Sequence, residues 1–327
     1  MKKRITWVDY GKGFSMILVV LGHVLLGTVQ SGEYGRNTIL ILRYFLEIVY
    51  AVHIPVFFAL SGYFFKPVST FKLFLQRIRK RLVSLGIPYV IFSVVMIFLK
   101  VIGSSQVRNQ DSWNDLLNIW WKPIDYLWFL FALFFVDFII SLSSYFIKSK
   151  ILTIIMLAFL FSFASVVNLH IPMLSYVCLW APFFYLGYLL HEVRIPSRLA
   201  FISFIIYIVH VPIFCSLNPS QNYLFGFWRI VSIFAVIMMF YFFQNVNSFG
   251  SKFIVWVGSG SITIYLIHAP VISVIRILLF KIGIDLVFVQ ILLQFVFGFG
   301  CGILVYWLAN KFKFIDFIFR PGRYLLK

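Results

Sequence analysis

Apolar runs of about twenty residues recur along the whole chain, separated by short polar connections, and a helix of this length crosses the ~30 Å core of a bilayer. Hydrophobic residues make up 62% of the 327 positions and charged residues only 12%. Such a chain has too few polar side chains to cover a surface in water. The sequence therefore predicts an all-α polytopic membrane protein.

About ten runs are long enough to span the bilayer. They cover residues 14–30, 39–65, 82–103, 125–147, 151–167, 173–190, 199–217, 224–244, 253–280 and 286–309. The connections between them contain no internal repeat, low-complexity linker or soluble domain. We therefore expect residues 1–327 to form a single integral membrane domain with no fused soluble domain.

The basic residues predict the orientation of the spans. Most of the 28 Lys and Arg residues lie near the two ends of the chain or in connections on the same side of the predicted membrane. Cytosolic connections are enriched in Lys and Arg, so both termini and the 66–81 connection are predicted to be cytosolic. The net charge of +18 is thereby explained by membrane orientation, and we expect no nucleic-acid partner.

The predicted external connection, residues 104–124, carries three tryptophans, Trp113, Trp120 and Trp121. Tryptophans beside a span most often form an interfacial belt, and we interpret these three in that way. The alternative is a platform on which a sugar ring stacks.

The first span brings ionisable side chains into an apolar helix. Asp9, Lys12 and His23 all lie in this segment. In a helix Lys12 and His23 share one face about 16 Å apart along the axis, and Asp9 is placed to pair with Lys12. Ionisable groups inside a span are costly and usually face a protein interior or a water-filled cavity. We therefore select His23 and Asp9 as candidate catalytic residues.

Two later spans combine small, aromatic and imidazole side chains. Pro55 and Gly62 weaken the helix of the second span, which predicts an interruption that lines a cavity. The small residues of the ninth span, by contrast, are explained by close helix packing. The candidate acceptor-binding or cavity-lining residues are His53, Ser61 and Tyr63 in the second span and Tyr265 and His268 in the ninth.

The densest basic stretch follows the second span and contains Arg77, Arg79, Lys80 and Arg81. One interpretation is an anchor that fixes membrane orientation. The other is a clamp for the phosphates of a cytosolic ligand, because the planar guanidinium matches phosphate oxygens. Lys12 is predicted to lie on the same cytosolic side.

The three cysteines, Cys178, Cys215 and Cys301, are isolated within apolar runs. Their spacing matches no metal site, so we interpret them as packing residues and predict no bound metal.

Several of these segments together resemble the acyltransferase family 3 membrane proteins, in the branch of fucose 4-O-acetylase-like and surface-polysaccharide O-acetyltransferases. The resemblance covers nearly the whole chain, and its specificity lies in the combination of motifs. The matching segments are Trp7–His23, His53–Tyr63, Ile87–Tyr89, Leu127–Leu130 with Trp128, Pro182–Tyr188 and Ile264–Pro270.

The resemblance implies an enzyme of the bacterial inner membrane that moves an acyl group, usually acetyl, from cytosolic acetyl-CoA to a sugar hydroxyl. The acceptor is a cell-surface polysaccharide or its lipid-linked precursor, and membrane lipids surround the protein. No permanently bound cofactor is implied, since acetyl-CoA is a substrate. Trp128 joins the candidate acceptor-lining residues through this resemblance.

The resemblance also implies donor-binding residues. A basic residue separated from the first-span histidine by ten positions is typical of the family, and Lys12 fills that place. An Arg-x-x-Arg element after the second span is also typical, but here Arg81 is followed by Ser84 in the second arginine position. The nearest substitutes are Arg77, Arg79 and Lys80, which we include with Lys12 and Arg81 as donor-binding candidates.

Acyl transfer from a thioester to a hydroxyl requires a base, and histidine is the natural base near neutral pH. His23 could act directly on the acceptor hydroxyl or could itself be acylated, and both routes stay open. The competing class of function is a transporter or flippase for polysaccharides or lipid-linked sugars, and a structural membrane scaffold is a third. Transport would favour charges distributed through many spans, whereas the candidates here concentrate in three spans and one connection.

Overall fold

The computed structural model describes residues 5–103, 110–167, 169–219, 221, 224–246 and 251–326, and within these ranges the regular secondary structure is helical. The basic residues 2–4 and residues 104–109 of the predicted external connection lie outside the described residues. The α-helices are α1 (Thr6–Val29), α2 (Arg36–Gly62), α3 (Phe71–Arg81), α4 (Ile87–Gly103), α5 (Trp128–Phe146), α6 (Lys150–Val166), α7 (Pro172–Leu189), α8 (Ser197–Leu217), α9 (Val231–Asn245), α10 (Ser251–Ser259), α11 (Ser261–Lys281), α12 (Val287–Lys311), α13 (Lys313–Phe319) and α14 (Gly322–Leu325). A π-helix (Leu82–Gly86) joins α3 to α4, and 3₁₀-helices cover Trp113–Asn118, Asp125–Leu127 and Gly226–Ile230.

Nine helical segments in the described part of the chain are long and apolar enough to cross a membrane. This confirms the prediction of an all-α polytopic membrane protein. The predicted span at 151–167 is the shorter apolar helix α6, which has 17 residues. The predicted span at 253–280 is divided at Gly260 into α10 and α11. A Cβ on Gly260 would lie 2.4 Å from the Tyr306 ring, so this glycine marks a place where the chain passes close against an aromatic side chain.

The predicted interruption at Pro55 is wrong, because α2 continues through this residue to Gly62. Proline removes only one backbone donor, and the buried side chains of Val52, Val56 and Phe58 surround this turn of the helix. Packing on neighbouring helices therefore maintains the helix where local propensity alone weakens it.

The described residues fall into two compact units, and unit 1 comprises Met1–Phe64 and Leu186–Tyr306. Helix α1 is central to it and packs against α2, α9, α10 and α11. The backbones of α1 and α10 touch: a Cβ on Gly13 would lie 2.0 Å from the Ile254 carbonyl oxygen, and one on Gly258 would lie 1.8 Å from that of Asp9. Small residues permit such close helix approach in membrane proteins, so they hold α1 in the interior of the unit.

Helix α8 of unit 1 shows how the spans divide between protein and lipid. Phe201, Ile205 and Val209 recur every four residues and are exposed, whereas Ser203 and Tyr207 are buried. Residues four apart lie on one helix face, so the exposed face is an apolar stripe suited to hydrocarbon.

Unit 2 comprises Phe65–Tyr185 and Trp307–Lys327. Helix α5 packs against α3 and the π-helix, and the carboxy-terminal helices α13 and α14 pack against α4 and the π-helix. A Cβ on Gly322 would lie 2.8 Å from the Ser84 hydroxyl oxygen. The π-helix, an arrangement often found at functional sites, therefore lies between the basic helix α3 and the carboxy-terminal segment.

Candidate active site

His23 lies within the continuous helix α1 and is partly exposed. Lys12 belongs to the same helix about 16 Å away along the axis, at a spacing close to three whole turns. Asp9 is buried on this helix about 21 Å along the axis from His23. At that distance Asp9 does not reach the atoms on which His23 acts, although the sequence grouped the two as catalytic.

Two other histidines from different helices surround His23. The ring centroids of His23 and His268 are 5.0 Å apart in an edge-to-face arrangement. His53 packs against Tyr50 at a centroid distance of 4.7 Å, and Tyr50 lies 6.5 Å from His23. Helices α1, α2 and α11 thus bring together three histidines that the sequence places far apart, and we call this group the histidine cluster.

The three rings differ in exposure, since His53 is 2% exposed and His268 is 0% exposed, whereas His23 is partly open. His53 Nδ1 lies 2.8 Å from the Val49 carbonyl oxygen, and His268 Nδ1 lies 3.2 Å from that of Ile264. A ring nitrogen facing a carbonyl must donate, so in the neutral imidazoles Nε2 is the acceptor nitrogen. These backbone bonds fix the orientation of His53 and His268 within their own helices.

Gly22 makes the approach of α2 to His23 possible. A Cβ on this residue would lie 3.0 Å from the Tyr50 ring and 3.2 Å from His53 Cε1. Tyr50 was not identified from the sequence. Its position three residues before His53, on the same helix face, is the signal that could have found it.

Of the other predicted acceptor residues in unit 1, Tyr265 packs against the histidine cluster. Its ring is buried and lies 5.7 Å from that of His268. Ser61 and Tyr63 do not belong to it. Ser61 donates to the Phe57 carbonyl at 2.8 Å, and eight residues of α2 place it about 12 Å along the axis from His53.

Tyr63 lies with Lys12 at the other end of unit 1. The Tyr63 ring contacts Trp7 at 4.8 Å and His191 at 4.5 Å. Lys12 Nζ lies 5.7 Å from the Phe64 ring centroid, within the range of a cation–π contact. Phe64 follows Tyr63 directly in the chain, so Tyr63 lies near the predicted donor residue instead of the histidine cluster.

In unit 2, two of the predicted donor residues bind a buried carboxylate. Arg77 donates to Asp137 through Nε at 2.5 Å and through Nη2 at 3.1 Å, and Arg81 donates to the same carboxylate. Ser141 adds a hydrogen bond of 3.1 Å, and Asp137 is 0% exposed. Asp137 is not among the residues selected from the sequence, although a lone carboxylate inside an apolar span is itself a signal of a functional or paired group.

Arg79 and Lys80 lie on the exposed side of α3. Side chains two residues apart on a helix point in different directions, so Arg79 cannot follow Arg77 and Arg81 toward Asp137. The predicted basic stretch therefore divides into Arg77 and Arg81, which are fixed by Asp137, and Arg79 and Lys80, which face outward.

Trp128, also in unit 2, packs within a group of aromatic rings. Its centroid lies 5.0 Å from that of Tyr176 and 5.9 Å from that of Trp180. Among the described residues no group of His, Cys, Asp or Glu side chains has the arrangement of a metal site.

Comparison with known proteins gives a family and two relatives. The model of a family described as an acyltransferase domain matches residues 5–311. The chain is 29% identical over 182 residues to the nodulation protein NolL of Mesorhizobium japonicum, covering 55% of the chain and 46% of that protein. It is 26% identical over 190 residues to the nodulation protein NolL of Sinorhizobium fredii, covering 55% of the chain and 47% of that protein. The chain thus spans about half the length of the curated relatives it matches. No solved structure matches the chain.

Proposed function

The chain belongs to the acyltransferase family whose model spans residues 5–311, and from this membership we propose that it is a membrane O-acyltransferase using acyl-CoA. The acyl group is acetyl, and the acceptor is a hydroxyl of a cell-surface polysaccharide or of its lipid-linked precursor. The observation that carries the proposal is the histidine cluster, in which the partly exposed His23 is held between helices by a buried second histidine.

His23 has the exposure and the surroundings of a general base. It takes the proton of the acceptor hydroxyl as the hydroxyl oxygen attacks the thioester carbonyl. The C–S bond of the tetrahedral intermediate then breaks, and the coenzyme A thiolate leaves with the proton that His23 returns. In the covalent variant the imidazole attacks the thioester first, and coenzyme A leaves as the thiol with the imidazole N–H proton. The acyl group then passes from His23 to the hydroxyl oxygen, and the hydroxyl proton returns to the imidazole.

The partner side chains of the cluster act on His23 by position. His268 packs edge-on against the His23 ring, and its own ring is fixed by the Ile264 carbonyl. The Tyr50 ring lies 6.5 Å from that of His23, and its phenol is a candidate donor to the developing oxyanion. Positioning of this kind contributes because the reacting atoms must meet in a narrow range of geometry.

Each unit has its own candidate donor-binding side chains. In unit 1 Lys12, whose ammonium lies over the Phe64 ring, provides a cation about 16 Å along α1 from His23. An extended coenzyme arm needs such a separation between its phosphates and its thioester. In unit 2 Arg79 and Lys80 are outward-facing donor candidates for phosphate oxygens.

The location that fits this reaction is the inner membrane of a bacterium, with the donor side facing the cytosol. The two similar proteins come from Mesorhizobium and Sinorhizobium, which are bacteria with such a membrane. The concentration of basic residues in the connections predicted to be cytosolic supports the same orientation.

The test is His23→Ala in the full-length protein reconstituted in lipid nanodiscs. Radiolabelled acetyl-CoA is supplied with isolated surface polysaccharide, and the transferred acetyl group is confirmed by mass spectrometry. Loss of a general base should lower the transfer rate by about 10²- to 10⁴-fold, while coenzyme A binding is retained. His170→Ala is the matched control, because His170 is exposed and outside the cluster. Transfer at the wild-type rate by a correctly inserted His23→Ala protein would move the base to His53 or His268.

A further inference from the structure

Unit 2 contains an aromatic group that the histidine chemistry does not use. Trp128 opens α5, and its ring is inclined by 31° to both Tyr176 and Trp180. Tyr176 and Trp180 are four residues apart on α7 and so share one helix face. All three side chains are only partly buried. We call these three rings the aromatic platform.

An ion network lies at the start of the same helix. Lys100, 6% exposed, binds the carboxylates of Asp111 at 2.5 Å and Asp125 at 2.6 Å. One positive charge against two negative charges leaves a net charge of −1. The Asp125 side chain is 34% exposed, so it keeps oxygens that can accept hydrogen bonds from another molecule.

Asp125 also has a strained backbone. Among the described residues it is the non-glycine residue with positive φ, at 39°. Such a conformation costs free energy and persists where the surrounding structure imposes it, which is frequent at functional sites. The bond to Lys100 holds Asp125 in place, one helical turn before Trp128.

These features favour one class of ligand. A sugar ring presents apolar C–H faces and a rim of hydroxyls, which suit a group of aromatic rings with a partly exposed carboxylate one helical turn away along the chain. The net negative charge of the network disfavours anionic ligands such as phosphates or acidic lipid headgroups. An interfacial belt would require aromatic side chains at the membrane surface. It would require neither the packing of these rings against one another nor the buried ion network.

We propose that the aromatic platform and Asp125 form a subsite for a neutral sugar ring of the acceptor. This inference rests on the proposed transfer to a sugar hydroxyl, and it names the residues that recognise that sugar. For the connection tryptophans Trp113, Trp120 and Trp121, sugar stacking is the alternative to the interfacial belt that the sequence favours. The platform proposed here is a separate group, which combines Trp128 with two rings from α7.

The test uses full-length protein in nanodiscs and saturation-transfer NMR with a panel of neutral methyl hexosides and methyl 6-deoxyhexosides. Methyl glucuronide is the anionic probe. Trp128→Leu keeps apolar volume but removes the aromatic face, so sugar binding should weaken about tenfold or more. Trp128→Phe keeps an aromatic face and should retain most of the binding. Trp121→Leu is the control, because Trp121 is 62% exposed and outside the platform.

A second variant tests the proposal independently, in case Trp128→Leu prevents folding. Asp125→Asn keeps the size of the side chain and should also weaken binding of the neutral sugars, whereas Asp285→Asn, an exposed acid elsewhere, should not. Equal binding by wild type, Trp128→Leu and Asp125→Asn would overturn the inference, as would a preference for methyl glucuronide. Sugar binding that depends on the platform without any acyl transfer would contradict only the proposed function.

Discussion

His23 differs from the two histidines beside it in exposure, and this difference is the reason we propose it as the base. A base must meet both the donor carbonyl and the acceptor hydroxyl, so it needs an open side. His53 and His268 are enclosed and bonded to the backbone of their own helices. We therefore propose a positioning role for these two histidines.

Gly22 offers a test of this positioning that leaves every histidine in place. Gly22→Val should displace Tyr50 and His53, lower the transfer rate about tenfold or more, and cost about 1–3 kcal/mol of stability through overpacking. Transfer rates and thermal unfolding in detergent measure the two effects. Gly300→Val is the matched control, because a Cβ on Gly300 has no neighbour within 4 Å. Equal activity in the two variants would show that the approach of α2 does not matter to the reaction.

The basic side chains of helix α3 lie on two different faces. Arg77 and Arg81 bind the Asp137 carboxylate, which is 0% exposed, while Arg79 and Lys80 face outward. Arg79 and Lys80 are therefore the two side chains for which we test the phosphate-clamp interpretation.

Exchange of Arg79 and Lys80 together for Gln should weaken coenzyme A binding about tenfold or more, because charge-assisted bonds to phosphate are lost. Isothermal titration on reconstituted protein measures this affinity. Arg194→Gln with Arg198→Gln is the control, since these exposed residues are also predicted to be cytosolic. If both pairs of substitutions lower the affinity for coenzyme A equally, Arg79 and Lys80 contribute only through their positive charge and not through specific contacts with phosphate.

Asp137→Asn should instead lower stability, by about 3–5 kcal/mol, because Arg77 and Arg81 lose the charge that compensates them. Adding Arg77→Gln removes one of the uncompensated cations, so the double variant should be less destabilised than the sum of the two single variants. Thermal unfolding of the purified proteins measures this coupling. Strict additivity would mean that the Arg77–Asp137 pair contributes nothing beyond packing.

At the scale of the whole molecule, nine apolar helical segments in the described ranges make the chain a multi-pass membrane protein. The orientation of these helices in the membrane is a prediction, which rests on the basic residues in their connections. Trp113→Cys should react with a membrane-impermeant maleimide from outside the cell, and Lys313→Cys only after the membrane is opened. Cys178 and Cys215 are buried, and the partly exposed Cys301 is replaced by Ser in both variants to lower the background. Labelling of position 113 from the cytosolic side alone would reverse the orientation.

The sequence by itself determined the class of fold, most of the spans, and the polar residues inside them. Hydropathy and periodicity are local properties, and in lipid every helix must satisfy its own backbone, so span positions follow from composition. For the same reason His23, His53 and His268 could be selected one at a time.

Only the tertiary structure decided which of these residues meet. It joined the three histidines, added Tyr50 and Asp137, and separated Asp9, Ser61 and Tyr63 from the cluster. Contacts between helices depend on which small residues let two backbones approach, as Gly13, Gly22 and Gly258 do on α1 and α10. How closely two helices approach depends on both of their surfaces, so the sequence of one helix alone does not determine it.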